Sequence, residues 1–465
     1  MGFKVVLITR ARVYNVKSIK ELDMELRPLT IFIGPNASGK STILQSIYWF
    51  YIKTLHNPNL TSEINTVECE LFNVREYDDI ALNRDLRKVW MGVELEINIT
   101  DNIRKVLEQY ATSIKWNTLN IPKPRLQSLV HGFKIKRNTK GSLDWESYTK
   151  VDSIEILIRN WYDDIKGDLW SIKGTFKGQG TGRLIYSLFN KLYIADRLLG
   201  AKFVLSRQQI NELRNIDNFF EFMLMKIKNE VLSNRIFMLT PLRGNIPLTD
   251  EASITRELDI YGRGVLRALA YAYAHYKLKV KKELGTLLTS WAERLGIKGL
   301  SAGLSEERKE VRATFEDLET TIDLAMASHG HRQLLTFLTQ LIVAPPNSLI
   351  MIEEPEISLH PSAQALLPLL FAELIKKHEK QIVLTTHSSI LVLALSDAVM
   401  GSDKYPEIPR LNVEDIAVYH VVRDKEGYTK VEPLKLTKEG FVEGGVPSFV
   451  EVEAELYGKL LSRLT

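Results

Sequence analysis

Two glycines, a lysine and a serine near the start of the sequence have the spacing with the most specific chemical meaning. The segment Gly34-Pro-Asn-Ala-Ser-Gly39-Lys40-Ser41 fits G-x-x-x-x-G-K-[ST] at every position. The glycines permit backbone angles that direct successive amide groups toward a phosphate, Lys40 brings a positive charge to the β- and γ-phosphates, and the Ser41 hydroxyl can ligate Mg²⁺. An ordinary strand-to-helix turn does not explain Lys40. The pattern therefore predicts a site for a nucleotide and Mg²⁺ formed by Gly34, Pro35, Asn36, Ala37, Ser38, Gly39, Lys40, Ser41 and Thr42.

Two consecutive carboxylates follow an apolar segment in the last third of the chain. Leu349–Ile352 is typical of a buried strand, and Glu353 and Glu354 come directly after it. The last residues of a parallel strand lie at the carboxyl edge of the sheet, where ligands bind. We expect Glu353 to hold Mg²⁺ together with Ser41, and Glu354 to orient or deprotonate the attacking water. A plain charged loop is the alternative, and the cost of burying two acids without a nearby cation disfavours it.

A histidine follows the next strand along the chain. The apolar segment Gln381–Leu384 leads into Thr-Thr-His387-Ser, and the helical segment Pro361–His378 separates it from the carboxylates. A strand, a helix and a second strand in this order form a parallel crossover. His387 is therefore expected beside Glu354 as a γ-phosphate sensor, whereas an isolated histidine after a strand is usually a structural hydrogen-bonding group. The predicted catalytic residues are Glu354, His387 and Lys40.

Ser328 and Gly330 lie just before another predicted helix. Ser328 is a typical N-cap residue, Gly330 allows close approach of another backbone, and the segment as far as Val343 has a leucine-rich apolar side. Taken alone, this segment is interpreted as a capped core helix.

Together these motifs resemble the ABC-type ATPase heads of the SMC and RecF class. They are nearest to the overcoming-lysogenization-defect (OLD) family and its shorter relatives that carry only the ATPase. The resemblance covers residues 1–50 and about 235–400, and it rests on Gly34–Ser41, Ile352–Pro361, Thr385–Ser388, Thr240–Arg243 and the S-x-G of Ser328 and Gly330. It implies an α/β P-loop NTPase fold, an ABC-type ATPase head with a mixed or parallel core sheet and a helical inserted subdomain.

The resemblance also implies a homodimer. In that family the signature helix of one subunit closes on ATP held by the other, so Ser328 and Gly330 would act in trans and Ser358–His360 would lie at the dimer seam. His331 departs from the polar Gln or Glu common in the family, and Glu353 replaces the Asp of most P-loop ATPases. No Q-loop glutamine is identifiable, and Arg243 lies near its expected place.

The secondary structure predicted around these motifs divides the chain into three parts. Residues 1–50 and 235–400 are expected to form the discontinuous ATPase head, residues 51–234 a mostly helical insertion, and residues 401–465 a strand-and-helix extension of the head. The residue patterns predict strands at 4–13, 22–26, 29–33, 93–97, 154–158, 235–239, 349–352, 382–384 and 415–421. They also predict a hairpin at 310–315 and 320–324, and helices at 206–231, 254–292, 328–343 and 361–378.

The composition limits the remaining choices. The 465 residues are 45% hydrophobic and 25% charged, as expected for a globular protein of two or three subdomains. The net charge of +4 is too small to indicate a nucleic-acid binder by itself, and the basic residues within 121–142 form either a solvated loop or a phosphate-contacting patch.

Cys69 is the only cysteine, so an intrachain disulfide is excluded. No apolar segment approaches the roughly 18 residues of a membrane span, so we expect a cytoplasmic protein without a membrane partner.

These observations favour a Mg²⁺-dependent ATPase that dimerises on ATP and acts on a partner, either DNA or a separately encoded nuclease or toxin. The alternative is an ATP-sensing switch with little turnover that acts through such an effector. The long segment between Lys40 and Glu354 disfavours a transporter subunit, and the absence of an N-K-x-D motif disfavours a GTPase. Fewer than eighty residues follow His387. This length is too short for the Toprim domain of OLD nucleases, so we do not expect this chain to cut DNA.

Overall fold

The computed structural model describes most of the chain, in two compact units. The described residues are 7–56, 69–72, 74, 76–99, 101–115, 125–151, 154–163, 167–176, 215, 218–219, 222–223, 226, 235–251, 253, 255–273, 279–305 and 310–464. The first unit contains Leu26–Leu44 and Arg235–Thr465, and the second contains Leu7–Glu25 and Gln45–Asn234.

The strands and helices of the described residues are numbered in chain order. The strands are β1 Ile8–Val16, β2 Ile19–Glu25, β3 Leu29–Ile33, β4 Met91–Asn98, β5 Ser128–Arg137, β6 Leu143–Val151, β7 Ile154–Asp163, β8 Gly167–Phe176, β9 Ile236–Leu239, β10 Asp250–Glu251, β11 Lys298–Ser305, β12 Glu310–Asp317, β13 Thr320–Asp323, β14 Ser348–Glu353, β15 Lys380–Thr386, β16 Ile416–Arg423 and β17 Thr429–Leu434. The α-helices are α1 Lys40–Phe50, α2 Cys69–Phe72, α3 Tyr77–Ile80, α4 Asp101–Thr112, α5 Val265–Tyr273, α6 Lys279–Arg294, α7 His329–Val343, α8 Pro361–His378, α9 Ser389–Leu393, α10 Leu395–Met400 and α11 Pro447–Leu464.

A six-stranded sheet forms the core of the first unit, in the order β17-β16-β3-β15-β14-β9. The strands from β16 to β9 are parallel, and β17 pairs antiparallel with β16. β3 and β14 are buried along their whole length, as expected for parallel strands covered on both faces. The sheet confirms the predicted α/β fold with a mixed core sheet. Because the central strands are parallel, β3, β14 and β15 all end at one edge.

Two capped helices of the first unit begin where the sequence predicts. Ser328 is the N-cap of α7, and its Oγ accepts a hydrogen bond from the main-chain N of His331 at 3.2 Å. Proline suits the first position of a helix because no N–H is needed there, and α8 begins at Pro361. Leucines of both helices belong to the apolar core of this unit. In the part of the chain that the structure describes, no helix combines the length and hydropathy needed to cross a bilayer.

A smaller antiparallel sheet in the first unit has the order β10-β12-β11, with β13 paired to β12. The pairing of β12 with β13 confirms the predicted hairpin. The prediction of one helix over 254–292 is wrong at its start, because residues 255–264 precede α5 without helical structure. Gly262 and Gly264 have φ of +78° and +91° there, and a right-handed helix excludes such angles.

The second unit contains an antiparallel sheet in the order β2-β1-β4-β5-β6-β7-β8. In β4, Val93, Leu95 and Ile97 share one face and are fully buried, so period-two alternation specifies the strand. Strands therefore predominate in the described part of the insertion, which differs from the expected mostly helical subdomain. β1 and β2 pair into this sheet, so residues 7–25 group with the insertion. The predicted helix at 206–231 lies almost wholly outside the described residues.

Candidate functional site

The loop that carries the glycines and the lysine joins β3 to α1 at the carboxyl edge of the core sheet. Gly34 directly follows β3, and a Cβ at this position would lie 2.1 Å from the carbonyl oxygen of Val421. Ala37 and Gly39 have positive φ angles of +59° and +107°. Backbone with such angles turns successive N–H groups into one concavity, as an anion site requires.

Lys40 begins α1 and is nearly buried, with 5% of its surface exposed. Its Nζ donates hydrogen bonds to the carbonyl oxygens of Gly34 at 3.0 Å and Pro35 at 2.8 Å. Burial lowers the pKa of Lys40 to about 8, although the negative charges of nearby carboxylates raise it: Glu354, Glu356 and Glu353. The lysine of the loop and the strand-end glutamates therefore share one site.

Glu353 is the last residue of β14, and Glu354 follows it directly. Glu353 is 2% exposed and lies in register with Thr385 of β15. The main-chain N of Glu354 donates to the carbonyl oxygen of Thr385 at 2.9 Å. Glu354 has φ of +48°, a left-handed angle that is uncommon for a residue with a Cβ. The bond to β15 and the sharp turn together fix where these carboxylates leave the sheet.

Glu356 is a site residue whose role sequence reasoning missed. It is 8% exposed, and its Oε1 accepts a hydrogen bond from the main-chain N of His387 at 2.6 Å. Its Oε2 is buried without a hydrogen-bond partner among the described residues. Burial raises the pKa of Glu356, and the hydrogen bond from His387 acts in the opposite direction. The carboxylate thus joins the turn after β14 to the segment after β15.

His387 lies directly after β15, and its Nε2 is 3.8 Å from Oε1 of Glu354. The pKa of His387 is lowered, mainly by burial and next by the positive charge of Lys40. The negative charge of Glu354 acts in the opposite direction and raises it. Burial therefore favours the neutral form of this imidazole. The structure brings the three residues predicted to be catalytic to the same edge of the sheet.

Arg243 anchors the carboxylate turn from a third strand. It follows β9 and is 2% exposed. Its Nη1 donates to the carbonyl oxygens of Glu353 at 2.7 Å and Thr240 at 3.0 Å, and its Nη2 donates to the carbonyl oxygen of Glu354 at 2.8 Å. Burial lowers the pKa of Arg243 to about 10, which leaves it charged near pH 7. The sequence signal for this residue was its place in the Thr-Pro-Leu-Arg segment, near the expected position of a Q-loop residue.

The two signature residues lie at the N-terminal end of α7. Ser328 is exposed and Gly330 is half-buried. A Cβ on Gly330 would lie 2.6 Å from the carbonyl oxygen of Ser358, so α7 directly contacts the turn that follows the carboxylates. Within one chain Gly330 therefore lies against the Ser358 segment, and contact of Ser328 and Gly330 with a nucleotide held by a second copy stays a prediction.

Ser41 and Glu353 are the residues predicted to hold Mg²⁺. Ser41 is half-buried in the first turn of α1, and both side chains offer the oxygen ligands that Mg²⁺ prefers. Within the described ranges, no three or more His, Cys, Asp or Glu side chains are grouped as a metal site. The hydroxyl of Ser41 and the carboxylate of Glu353 fit a Mg²⁺ ion in their chemistry, and the buried Oε2 of Glu356, which has no hydrogen-bond partner among the described residues, is a further oxygen near them.

Two residues beyond β15 also reach the loop, and sequence reasoning missed both. Arg423 Nε donates to the carbonyl oxygen of Ala37 at 2.8 Å, and Thr429 Oγ1 donates to that of Ser38 at 2.9 Å. No local pattern signals these contacts, because they join positions nearly four hundred residues apart in the sequence.

Comparison with known proteins gives one family and several distant relatives. Residues 7–392 match the family model described as AAA ATPase domain. The chain is 22% identical over 252 residues to the DNA replication and repair protein RecF of Lactobacillus gasseri, and the alignment covers 52% of this chain and 63% of RecF. The chain thus spans less than two thirds of that relative's length.

Solved structures with similarity to this chain include two Smc head domains. One, from Pyrococcus furiosus, has an extended coiled coil and is bound to the C-terminal domain of ScpA; it is 10% identical, with 97% of this chain and 99% of that chain covered and a TM-score of 0.46. The other, from Thermotoga maritima, is 11% identical, with 93% and 100% covered and a TM-score of 0.37. Because the family model matches most of its length, the chain belongs to the AAA ATPase domain family.

Proposed function

We propose that the chain binds Mg²⁺ and ATP at residues 34–42 and hydrolyses the ATP at the carboxyl edge of the core sheet. The observation that carries this proposal is the position of Lys40, whose Nζ is bound to the carbonyl oxygens of Gly34 and Pro35 at the sheet edge where β14 ends and Glu354 approaches His387. A triphosphate in contact with Lys40 would present its γ-phosphate to Glu354 and His387.

In the proposed reaction, water attacks the γ-phosphorus, and the bond from that phosphorus to the bridging oxygen of ADP breaks. Glu354 orients the water and accepts its proton, and neutral His387 supplies a hydrogen bond beside it. Lys40 and the N–H groups of the loop stabilise the charge that develops on the phosphates. A bound Mg²⁺ ion, held by Ser41 and Glu353, would neutralise part of the phosphate charge.

The proposal includes a head-to-tail homodimer with ATP between the subunits. Ser328 is exposed at the N-terminal end of α7, where main-chain N–H groups and the helix dipole favour an anion. Ser328 and Gly330 would thus contact the nucleotide held by the second subunit. We propose a cytoplasmic protein whose dimer acts on DNA or on a separately encoded effector. The RecF relative is a DNA replication and repair protein, which supports DNA as the partner.

The decisive experiment compares wild type with Glu354→Gln. ATP turnover is measured at saturating ATP and Mg²⁺, ATP affinity by calorimetric titration, and oligomeric state by light scattering with and without ATP. We expect kcat to fall at least about a hundredfold, because the substituted amide cannot accept the proton. ATP affinity should stay within threefold of wild type, and the ATP-bound dimer should accumulate. Glu414→Gln, which alters an exposed carboxylate, is the matched control and should leave all three measurements unchanged.

The outcomes separate hydrolysis from signalling by ATP binding. Absence of turnover in both wild type and Glu354→Gln, with ATP-driven dimerisation in both, would replace the ATPase with an ATP-sensing switch. Equal turnover in the two proteins would contradict the role of Glu354. Absence of ATP binding by wild type would contradict the proposed function as a whole.

A further inference from the structure

We propose that the C-terminal hairpin formed by β16 and β17 is part of the nucleotide site, and that Thr429 and Arg423 are positioning residues for the phosphate-binding loop. The inference rests on the proposed function, because it concerns the same loop. It extends the site into a segment outside the family match, which stops at residue 392.

The hairpin lies beside the loop because β16 is the parallel neighbour of β3. His420 is in register with Ile33, the last residue of β3, so the following residues of both strands continue side by side. The carbonyl oxygen of Val421 then lies against Gly34, where a Cβ would come within 2.1 Å. The first residue of the loop is thus packed directly on the backbone of the hairpin.

Thr429 contacts the middle of the loop. Its side chain is buried, and its Oγ1 donates a hydrogen bond to the carbonyl oxygen of Ser38 at 2.9 Å. A Cβ on Gly39 would lie 2.2 Å from the same Oγ1, so this close contact requires glycine in the loop. Gly39 also has φ of +107°, an angle at which a side chain is strained.

Arg423 holds the preceding peptide of the loop. Its Nε donates to the carbonyl oxygen of Ala37 at 2.8 Å, and its Nη1 donates to the carbonyl oxygen of Gly427 at 2.9 Å. The second bond ties the guanidinium group to the turn between β16 and β17. The hairpin therefore holds two consecutive carbonyl oxygens of the loop, those of Ala37 and Ser38.

Fixing these carbonyl oxygens also fixes the N–H groups that would face a phosphate. In a planar trans peptide, the N–H of one residue points opposite to the carbonyl oxygen of the residue before it. The hydrogen bonds to Ala37 and Ser38 therefore set the directions of the N–H groups of Ser38 and Gly39. The left-handed angle of Ala37, +59°, is unfavourable for a residue with a Cβ, so the loop benefits from such external support.

The test separates the Thr429 hydroxyl from the shape of its side chain. Thr429→Val keeps the branched shape and removes the donor, whereas Thr429→Ser keeps the hydroxyl. The Kd for ADP in the presence of Mg²⁺ is measured by calorimetric titration on the full chain. We expect Thr429→Val to raise Kd about five- to tenfold and Thr429→Ser to stay within twofold of wild type. Lys430→Met, which changes the next residue of β17 on its exposed face, is the control and should bind as wild type does.

A second variant and a kinetic measurement test the inference even if Thr429→Val does not fold. Arg423 is exposed, so Arg423→Met should fold normally even if Thr429→Val does not, and it should also raise the Kd for ADP several-fold. In steady-state kinetics with ATP, KM of both variants should rise several-fold and by a larger factor than kcat falls, because the loop N–H groups already hold the phosphates in the bound ground state. A purely structural defect would reduce the fraction of folded protein, so the apparent kcat would fall while KM stayed unchanged, and serine would not restore binding.

The possible results distinguish this inference from the proposed function. Wild-type affinity in both Thr429→Val and Arg423→Met would overturn the role of the hairpin and leave the ATP site intact. Weak binding by Thr429→Ser equal to that of Thr429→Val would also overturn it, because side-chain shape would then be the cause. Failure of wild type itself to bind ADP or ATP would overturn the proposed function instead, and this inference with it.

Discussion

Arg243 donates a hydrogen bond from Nη1 to the main-chain carbonyl oxygen of Glu353 at 2.7 Å, across 110 positions of sequence. The same guanidinium group also binds the carbonyl oxygen of Glu354, which has a left-handed backbone angle. Such an angle persists where the surrounding structure holds it. The buried guanidinium group of Arg243, a residue that follows β9, therefore fixes the turn from which both site carboxylates project.

Replacing Arg243 by Met should lower kcat for ATP more than it weakens ATP binding. The turn would lose its anchor, and a displacement of about 1 Å at a reacting group can cost a hundredfold in rate. We expect kcat to fall about ten- to hundredfold with the Kd for ATP within threefold, and a loss of about 2–4 kcal/mol in the free energy of unfolding from the unpaired buried carbonyls. Steady-state kinetics and denaturant unfolding measure these effects.

Arg235→Met is the matched control for this prediction. Arg235 also donates to a main-chain carbonyl oxygen, that of Pro346 at 3.1 Å, and its bond is exposed. It should leave kcat unchanged. Equal kinetic effects of the two substitutions would show that Arg243 has no specific role at the carboxylate turn.

Replacing Lys40 by Ala should abolish measurable ATP binding. Lys40 is buried, and removal of one partner of a buried charge pair costs about 2–5 kcal/mol of binding free energy, which corresponds to a loss of affinity of about thirtyfold to several thousandfold. Calorimetric titration with ATP and Mg²⁺ provides the measurement. Lys425→Ala, on the exposed turn after β16, is the control. Unchanged affinity in the Lys40 variant would exclude the loop as the phosphate site.

Nucleotide affinity should decrease as the pH rises above about 8. Burial lowers the pKa of Lys40 from 10.5 to about 8 in the folded protein, so the side chain loses its proton there well before it would in the unfolded chain. Bound phosphate favours the protonated form, so binding above this pH takes up a proton, and the Kd for ADP should rise by up to about tenfold per pH unit. The same shift makes the contribution of Lys40 to folding stability increase with pH between about 8 and 10.5.

Calorimetric titrations with ADP at pH 7.5 to 9.5, repeated in buffers of different ionisation enthalpy, measure both affinity and proton uptake. We expect little uptake at the lowest pH and close to one proton at the highest. A Kd that does not change over this range would show that Lys40 keeps its ordinary pKa in the folded chain.

Ser328→Arg should leave ATP binding intact and stop hydrolysis. The proposed homodimer places Ser328 against the nucleotide of the second subunit, where a bulky charged side chain would prevent closure. Because Ser328 is also the N-cap of α7, loss of the cap costs about 1 kcal/mol of stability. Ser328→Asp is therefore a useful second variant: it caps equally well and places a negative charge toward the phosphate. Thr320→Arg, on the exposed β13 strand, is the control. Normal turnover in both Ser328 variants would remove the trans contact from the proposal.

Gly330→Ala should destabilise the fold by about 1–3 kcal/mol, the usual cost of overpacking. Its Cβ would lie 2.6 Å from the carbonyl oxygen of Ser358, and a main-chain atom cannot rotate out of the way. Gly303→Ala is the matched control, since a Cβ there meets no atom within 4 Å. Denaturant unfolding of both variants measures the difference. Equal stability would show that α7 does not pack tightly on this turn.

Local patterns predicted much of the first unit. The strand of apolar residues before Gly34, the capped helices at Ser328 and Pro361 and the hairpin of β12 and β13 are encoded by side-chain period, caps and turn residues within a few positions of one another. The carboxylates after β14 and His387 after β15 were likewise predictable, because a parallel strand places its last residues at one edge of the sheet. The start of α5 was predicted too early. Apolar periodicity gives no information on backbone angles, and Gly262 and Gly264 have positive φ angles that a right-handed helix excludes.

The sequence by itself determined which segments carry phosphate chemistry, because that information is local: glycines at fixed spacing, a lysine at a helix start and acids at a strand end. Tertiary structure alone decided that Arg243 holds the carboxylate turn, that Thr429 and Arg423 hold the loop, and that β1 and β2 join the second unit. It also decided the lowered pKa of Lys40, which follows from burial and surrounding charge. These features depend on which distant strands become neighbours, and that choice follows from the packing of the whole core rather than from any short run of residues.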